Sequence, residues 1–327
     1  MGLKVIILAA GKGTRMKSEI LKVLHHVAGK PILNHVLDTV VELGAEDIFI
    51  VVGHQGEQVR QQIHHPKVTF VEQTEQLGTG HAVLQVQPFL AKATKETVLV
   101  LAGDCPLIEG DTLQNLLAIH SESNASGTVL TAIMDEPGSY GRILRGQMGT
   151  ILGIKEAKDC ASDELEICEI NTGVYAFEVG AMFEQLNRVN TNNTQQEYYL
   201  TDVISLLKSA GDPISAYCTD DPDQVVGINT RMDLAKINEI IYRRNNLHFM
   251  EEGVTILDPT TTFIDSTVCI GPDTIISPFT VIRGKTVIGA HCKIGPHSYL
   301  EDTMLAADTV VPPFSSLTHP TKTVPCT

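Results

Sequence analysis

The residues most able to do chemistry in this chain are arranged for phosphate. Leu8-Ala-Ala-Gly-Lys-Gly-Thr-Arg-Met16 closes an apolar run. Gly11 and Gly13 let backbone N–H groups approach a phosphate closely, while Lys12 and Arg15 supply the positive charge a polyphosphate needs. Neither common phosphate loop is reproduced. Met16 stands where the dinucleotide fingerprint needs a third glycine, Gly53 and His54 stand where it needs an acid, and no GxxxxGK-Ser/Thr is present. Lys22, within Lys22-Val-Leu-His25, adds a cation able to neutralise charge growing on an α-phosphate and a departing pyrophosphate.

Asp104 is the sharpest single candidate. It follows the aliphatic run Val98 to Ala102 and then Gly103, so a sheet would deliver its carboxylate to the edge that carries the Gly11 loop. A hard oxygen ligand beside a triphosphate is how Mg²⁺ is held, with phosphates and water completing the octahedron. An N-cap or turn role is the plain alternative, and it suits Asp111 better, as the cap of a helix beginning near Thr112. Gln73 and Glu75-Gln-Leu-Gly-Thr-Gly-His-Ala82 offer the paired donors and acceptors that a pyrimidine edge demands, although Thr79 could equally cap a helix. The histidines are not spaced as metal ligands and no G-x-S-x-G elbow exists.

Alternating elements must position these groups. Val5 to Ala10, Ile48 to Val52 and Val98 to Ala102 are unbroken apolar runs, as parallel strands buried on both faces require. Between the first two, Pro31 suits a first helical position, Ile32, Leu33, Val36, Leu37, Val40 and Val41 make one stripe, and Gly44 closes the helix. Such alternation predicts an α/β fold, a doubly wound sheet, over residues 1–230. Residues 231–252 read as a linking helix, with Leu234, Ile237, Ile240 and Ile241 on one side.

Residues 253–327 have another texture. Ile264, Ile270, Ile276, Ile282, Ile288, Ile294 and Leu300 recur every six residues, with Thr262, Val268, Thr274, Thr280, Thr286, Cys292 and Ser298 two places before them. That period predicts a hexapeptide β-helix with the aliphatics inward, two to three coils long. After Leu305 the pattern is expected to fail, with Ala306 and Pro312 at the inward positions. So short a solenoid is expected to pack on the α/β domain or on sister subunits.

Bulk composition narrows the classes. The net charge of −15 argues against nucleic acid or an anionic membrane as partner. Cysteines at 105, 160, 168, 218, 269, 292 and 326 form neither a zinc pattern nor a disulfide framework, so a reducing cytoplasm is expected. No secretory leader is visible, and no apolar stretch approaches the roughly 20 residues that span a bilayer.

Taken together, LAAGKGTRM at 8–16, KVLH at 22–25, EQLGTGHA at 75–82, GD at 103–104 with PLI at 106–108, YGRI at 140–143, EINTG at 169–173 and EYYLTD at 197–202 resemble one family. It is that of the bacterial bifunctional enzymes that acetylate glucosamine 1-phosphate and uridylylate the product to UDP-N-acetylglucosamine. The resemblance runs to about Leu305. It implies a Rossmann-like nucleotidyltransferase domain followed by a short left-handed parallel β-helix, and Mg²⁺-dependent transfer from UTP to N-acetylglucosamine 1-phosphate for cell-wall and lipopolysaccharide precursors. It further implies that Leu8, Ala10, Gly11, Lys12, Gly13, Gln73, Gln76, Gly78 and Thr79 bind the nucleotide and that Arg15 and Lys22 stabilise its phosphates. Asp104 and Asn229 would hold the metal, and Gly141, Glu156 and Asn171 would read the sugar.

Three departures stand out. Leu21 replaces the proline usual before the lysine, Ala102 replaces an aromatic before the Gly-Asp pair, and Val311-Pro-Pro-Phe-Ser-Ser-Leu-Thr-His-Pro320 replaces the start of the acetyltransferase arginine site. A short form without acetyltransferase activity is therefore expected, with a homotrimeric β-helix. The rival expectations are transfer to another sugar 1-phosphate or from dTTP, and a non-catalytic sugar-nucleotide-binding scaffold. Lys12, Arg15, Lys22, Asp104 and Asn229 are all present, which disfavours the scaffold.

Overall fold

A computed structural model describes residues 2–53 and 55–318. His54, compared above with the acid of the dinucleotide fingerprint, and residues 319–327, with Cys326 and the end of the 253–327 segment, lie outside the described residues. The chain divides into two compact units, one made of the chain up to Leu24 with Ile32–Asn229, the other of His25–Pro31 with the chain from Thr230.

The first unit is built on one sheet. Its strands are β1 (Lys4–Ala9), β2 (Asp47–Val52), β3 (Val68–Glu72), β4 (Thr97–Ala102), β5 (Gly127–Ile133), β6 (Arg142–Arg145), β7 (Ile151–Lys155), β8 (Glu169–Glu178) and β9 (Ile214–Thr219). Their order is β9-β5-β8-β4-β1-β2-β3, with the β6–β7 ribbon attached to β8. β1 runs parallel to β2 and β4, whereas β8 is antiparallel to β4 and β5. The apolar runs are explained by burial on both sides: Val5, Ile7, Leu99 and Leu101 join one core and Ile6, Val98 and Val100 join the other. Helix Ile32–Glu42 covers one face with Leu33, Val36, Leu37 and Val40. Burying each such side chain stabilises the unit by about 1.5–3 kcal/mol before entropy is counted. Gly44 at φ +91° ends the helix, and the Ala45 N–H reaches back to the Val40 carbonyl. Pro31 lies just outside, paired across a two-residue bridge, so the helix starts one residue later than its proline suggests.

Asp111 corrects the capping expectation. Its helix spans Gly110–Glu122 with Glu109 at the N-cap, so Asp111 sits within the first turn, where its charge opposes the positive end of the helix dipole.

In the second unit, helix Arg231–Glu251 opens on a capping box. The Thr230 hydroxyl accepts from the Asp233 N–H at 3.2 Å and the Asp233 carboxylate accepts from the Thr230 N–H at 2.8 Å. From Thr255 on, the chain coils into three parallel sheets whose strands begin with Thr255–Ile256, Phe263–Ile264 and Cys269–Ile270. Ile264, Ile276, Ile282, Ile288, Ile294 and Leu300 fill the interior. The residues two before them serve the corners: Thr280, Thr286 and Ser298 donate to the carbonyls of Ser277, Arg283 and Gly295 at 2.6–2.7 Å. Gly289 is required because a Cβ there would stand 2.4 Å from the Ala307 backbone nitrogen of the next coil.

Two expectations for this unit are overturned. The three sheets hold four, four and three strands among the described residues, so the solenoid is longer than two to three coils. Nor does the repeat fail after Leu305. Leu305 and Val311 are inward at 4% and 3% exposure, and Leu317 packs on the same core, while Ala306 is exposed. The cause is a turn one residue short at Asp302, itself at φ +49°, after which Leu305 pairs with Ile288 and Val311 with Ile294. The six-residue frame slips by one and then continues.

Candidate active site

The ends of β1, β4 and β8 open onto a cavity of about 620 Å³ in the first unit. Leu8, Ala10, Gly11, Lys12, Lys22, Gln73, Gln76, Gly78, Thr79, Asp104, Gly141, Glu156 and Asn171 line it. Gly13, Arg15 and Asn229, singled out with them, are not in that wall. They are tied to it through Lys22: a Cβ on Gly13 would meet the Lys22 Cβ at 2.7 Å, and Asn229 Oδ1 accepts from Lys22 Nζ at 3.2 Å and from Arg15 Nη2 at 2.9 Å.

The glycine loop is shaped by two residues. Gly13 takes φ +59°, and the buried Met16, whose N–H bonds to the Gly13 carbonyl at 2.9 Å, anchors the 3₁₀ turn Thr14–Met16. Lys12 and Arg15 are left exposed on the rim. β4 then delivers Asp104 to the same edge. The Gly103 N–H bonds to the Leu8 carbonyl at 2.9 Å, locking the two strand ends together, and the Ile228 N–H bonds to the Asp104 carbonyl at 2.9 Å, which brings Asn229 alongside. Asp104 and Asn229 thus converge on the Lys22 ammonium, which forms an ion pair with Asp104 and a hydrogen bond with Asn229. Two hard oxygen donors meeting at one cation fit Mg²⁺. No group of three or more acidic, histidine or cysteine side chains that could hold a metal exists among the described residues.

The 75–82 segment is held from two sides. Gln76 Nε2 donates to the Ala10 carbonyl at 2.5 Å, joining this segment to the glycine loop. Gly78, at φ +108°, lies so close to Tyr198 that a Cβ would approach its carbonyl oxygen to 2.6 Å. Thr79 begins helix Thr79–Leu84 with Gly78 as its N-cap, and its hydroxyl accepts from the Leu200 N–H at 3.1 Å. Thr79 therefore does not cap the helix.

Gly141, Glu156, Asn171 and Glu197 add uncharged and acidic groups to the lining. The register of β8 on β5 shifts between Asn171 and Tyr175, and the Asn171 N–H bonds to the Gly141 carbonyl at 2.8 Å. Glu156 accepts from the Thr201 hydroxyl at 3.2 Å. Burial pushes the Glu156 carboxyl above the usual range, Thr201 opposes the rise, and Asp159, Asp202 and Glu197 add to it. Tyr140, Thr172, Tyr175, Glu197 and Thr201 also line the cavity and were not singled out from the sequence. Four of them lie in the quoted YGRI, EINTG and EYYLTD segments, which were the available signal.

The MobA-like NTP transferase domain family matches residues 5–165, and the bacterial transferase hexapeptide family, of six repeats, matches residues 270–302. "Bifunctional protein GlmU" of Enterococcus faecalis is 47% identical over 83% of this chain and 58% of its own length. The GlmU of Syntrophomonas wolfei is 47% identical over 84% of this chain and 61% of its own, and that of Streptococcus gordonii 44% over 94% and 66%. The chain thus spans about three fifths of the first two relatives' length. Among solved structures, a UDP-glucose pyrophosphorylase complexed with UDP-glucose superposes with a TM-score of 0.62 at 18% identity, covering 75% of this chain and all of that one. At that identity the likeness concerns the fold.

Proposed function

For this chain, which belongs to the family of the bifunctional GlmU proteins, we propose magnesium-dependent uridylyl transfer from UTP to N-acetylglucosamine 1-phosphate, giving UDP-N-acetylglucosamine and pyrophosphate. The observation that carries the proposal is the meeting of Lys22, Asp104 and Asn229 beside the glycine loop, with Lys22 and Asp104 lining the same cavity as Glu156 and Asn171. A cation, carboxylates and amides lining one cavity suit a nucleoside triphosphate and a sugar phosphate lying together in it.

In this reading the backbone at Gly11 to Gly13 faces the phosphates while Gln73, Gln76, Gly78 and Thr79 receive the base and ribose. A sugar-phosphate oxygen attacks the α-phosphorus and pyrophosphate leaves in line, so the protein contributes positioning and charge neutralisation rather than a covalent intermediate. Arg15 and Lys22 stabilise the charge that grows on the α-phosphate and the leaving group. Asp104 and Asn229 would hold Mg²⁺, which when bound neutralises phosphate oxygens. Gly141 and Asn171 orient the acceptor sugar, and Glu156 accepts from one of its N–H or hydroxyl groups.

The reading places the protein in the cytoplasm as a homotrimer assembled through its hexapeptide repeats, supplying cell-wall and lipopolysaccharide precursors. No helix among the described residues is long and apolar enough to cross a membrane. The deciding assay is pyrophosphate release across a panel of UTP, dTTP and CTP with N-acetylglucosamine 1-phosphate and glucose 1-phosphate, with and without EDTA. The greatest rate should come from UTP with N-acetylglucosamine 1-phosphate and vanish in EDTA. A faster reaction with glucose 1-phosphate would defeat the sugar assignment.

A further inference from the structure

Gln73 is 3% exposed, lines the cavity, and its amide nitrogen meets two groups of the protein. Its Nε2 donates to the Gly78 carbonyl at 3.0 Å and lies 3.1 Å from Nδ1 of His81. His81 is outside the cavity wall, on the helix Thr79–Leu84 behind it. The other ring nitrogen, Nε2, lies 3.1 Å from Nε2 of Gln85. Two NH₂ groups therefore address one ring, and a neutral imidazole accepts at one nitrogen only. Burial decides between them. Gln73 must find its partners inside the protein, whereas Gln85 is half-buried, already donates to the His81 carbonyl at 3.0 Å, and can turn to water. An acceptor at Nδ1 is the arrangement that serves the buried Gln73 amide.

We propose that His81 is a positioning residue for nucleotide selection: it fixes the Gln73 amide with its carbonyl oxygen toward the base, so that the site favours a base edge bearing a ring N–H, uracil or thymine, over cytosine. The inference rests on the uridylyl-transfer reading above. With both amide protons used on Gly78 and His81, the acceptor oxygen is what Gln73 has left for a ligand. The ring N–H of uracil satisfies it. The bare ring nitrogen of cytosine sets acceptor against acceptor and leaves a buried group unpaired, which is the kind of mismatch that discriminates strongly. If His81 is lost, the amide keeps its bond to Gly78 but is held by one anchor instead of two.

The test compares kcat/KM for UTP and CTP in the parent, His81→Phe and His81→Asn proteins. Phenylalanine keeps the ring and removes the acceptor; asparagine returns an amide oxygen near the position of Nδ1. For His81→Phe the preference for UTP should fall about 10-fold, the worth of one hydrogen bond, through a higher KM for UTP with kcat within about twofold. His81→Asn should retain most of the preference. A His81→Phe protein that melts like the parent and keeps the parental ratio overturns the inference while leaving uridylyl transfer intact. A parent that releases no pyrophosphate from UTP overturns both. Should His81→Phe fail to fold, long-range ¹H–¹⁵N spectra of the parent decide, with His81→Asn providing the assignment: an unprotonated Nδ1 supports the inference and a protonated Nδ1 overturns it.

Discussion

Replacing Asp104 with alanine separates what this carboxylate does for the reaction from what it does for the fold. Its side chain is 17% exposed and its partner Lys22 14% exposed, so the pair is largely withdrawn from water. Truncation leaves the Lys22 ammonium facing Asn229 Oδ1 at 3.2 Å, a neutral acceptor in place of a charge. Stranding a half-satisfied cation in a cleft costs about 1–3 kcal/mol. For a unit of this size that lowers the melting temperature by roughly 2–12 °C. The catalytic loss is larger. Removing a carboxylate that would help hold the Mg²⁺ whose charge offsets the phosphates in a sheltered site costs about 4 kcal/mol of transition-state stabilisation, near a thousandfold in rate at 1.36 kcal/mol per decade. Pyrophosphate release from UTP and N-acetylglucosamine 1-phosphate, titrated with Mg²⁺, reads the second effect, and a thermal melt without ligands reads the first. The Asp104→Ala, Lys22→Ala double variant should be less destabilised than the two singles summed, since neither charge is then stranded. Asp104→Ala activity within tenfold of the parent would refute the metal assignment. A higher melting temperature would refute the view that the pair stabilises the cleft.

Further outcomes follow from other parts of the structure. Because burial raises the Glu156 carboxyl, the folded state binds its proton more tightly than the unfolded chain; stability from that group is full below the ordinary glutamate pKa and is lost as pH rises through the raised value. Glu156→Gln should therefore melt higher than the parent at pH 8, converge with it below pH ~4, and raise KM for the sugar phosphate roughly 10-fold or more; no pH dependence in the melting difference would contradict the burial argument. Gly289→Ala should destabilise the β-helix by about 1–3 kcal/mol in denaturant titration, because its Cβ would stand 2.4 Å from backbone, whereas Gly110→Ala, with open space around it, should stay within about 0.5 kcal/mol. Leu305→Asp should cost about 3 kcal/mol or more and Ala306→Asp about 0.5 kcal/mol or less, the reverse of what an uninterrupted six-residue count requires. CoA release from acetyl-CoA with glucosamine 1-phosphate should be undetectable for the 327-residue polypeptide.

Periodic features were legible from the residues alone. Val5 to Ala10 and Val98 to Ala102 read as strands covered on both faces, and the sixfold recurrence from Ile264 to Leu300 as a coil with aliphatics inside, because side-chain direction repeats with backbone geometry. Gly11 and Gly13 with Lys12 and Arg15 likewise marked out the glycine loop at the sheet edge for which phosphate binding is proposed, since that chemistry is carried by residue types a few places apart. Convergence was not legible. That Asn229 reaches Asp104 depends on the Ile228 N–H finding the Asp104 carbonyl, and that Glu156 meets Thr201 depends on how separate segments meet around the cavity. His81 behind Gln73, and the one-residue slip at Asp302 that carries the coil onward through Leu305 and Val311, belong to the same kind. Spacing along a chain reports the local repeat, but which distant groups share a hydrogen bond is decided by sheet order, by turns that can lose a residue, and by the burial that leaves a polar atom no other partner.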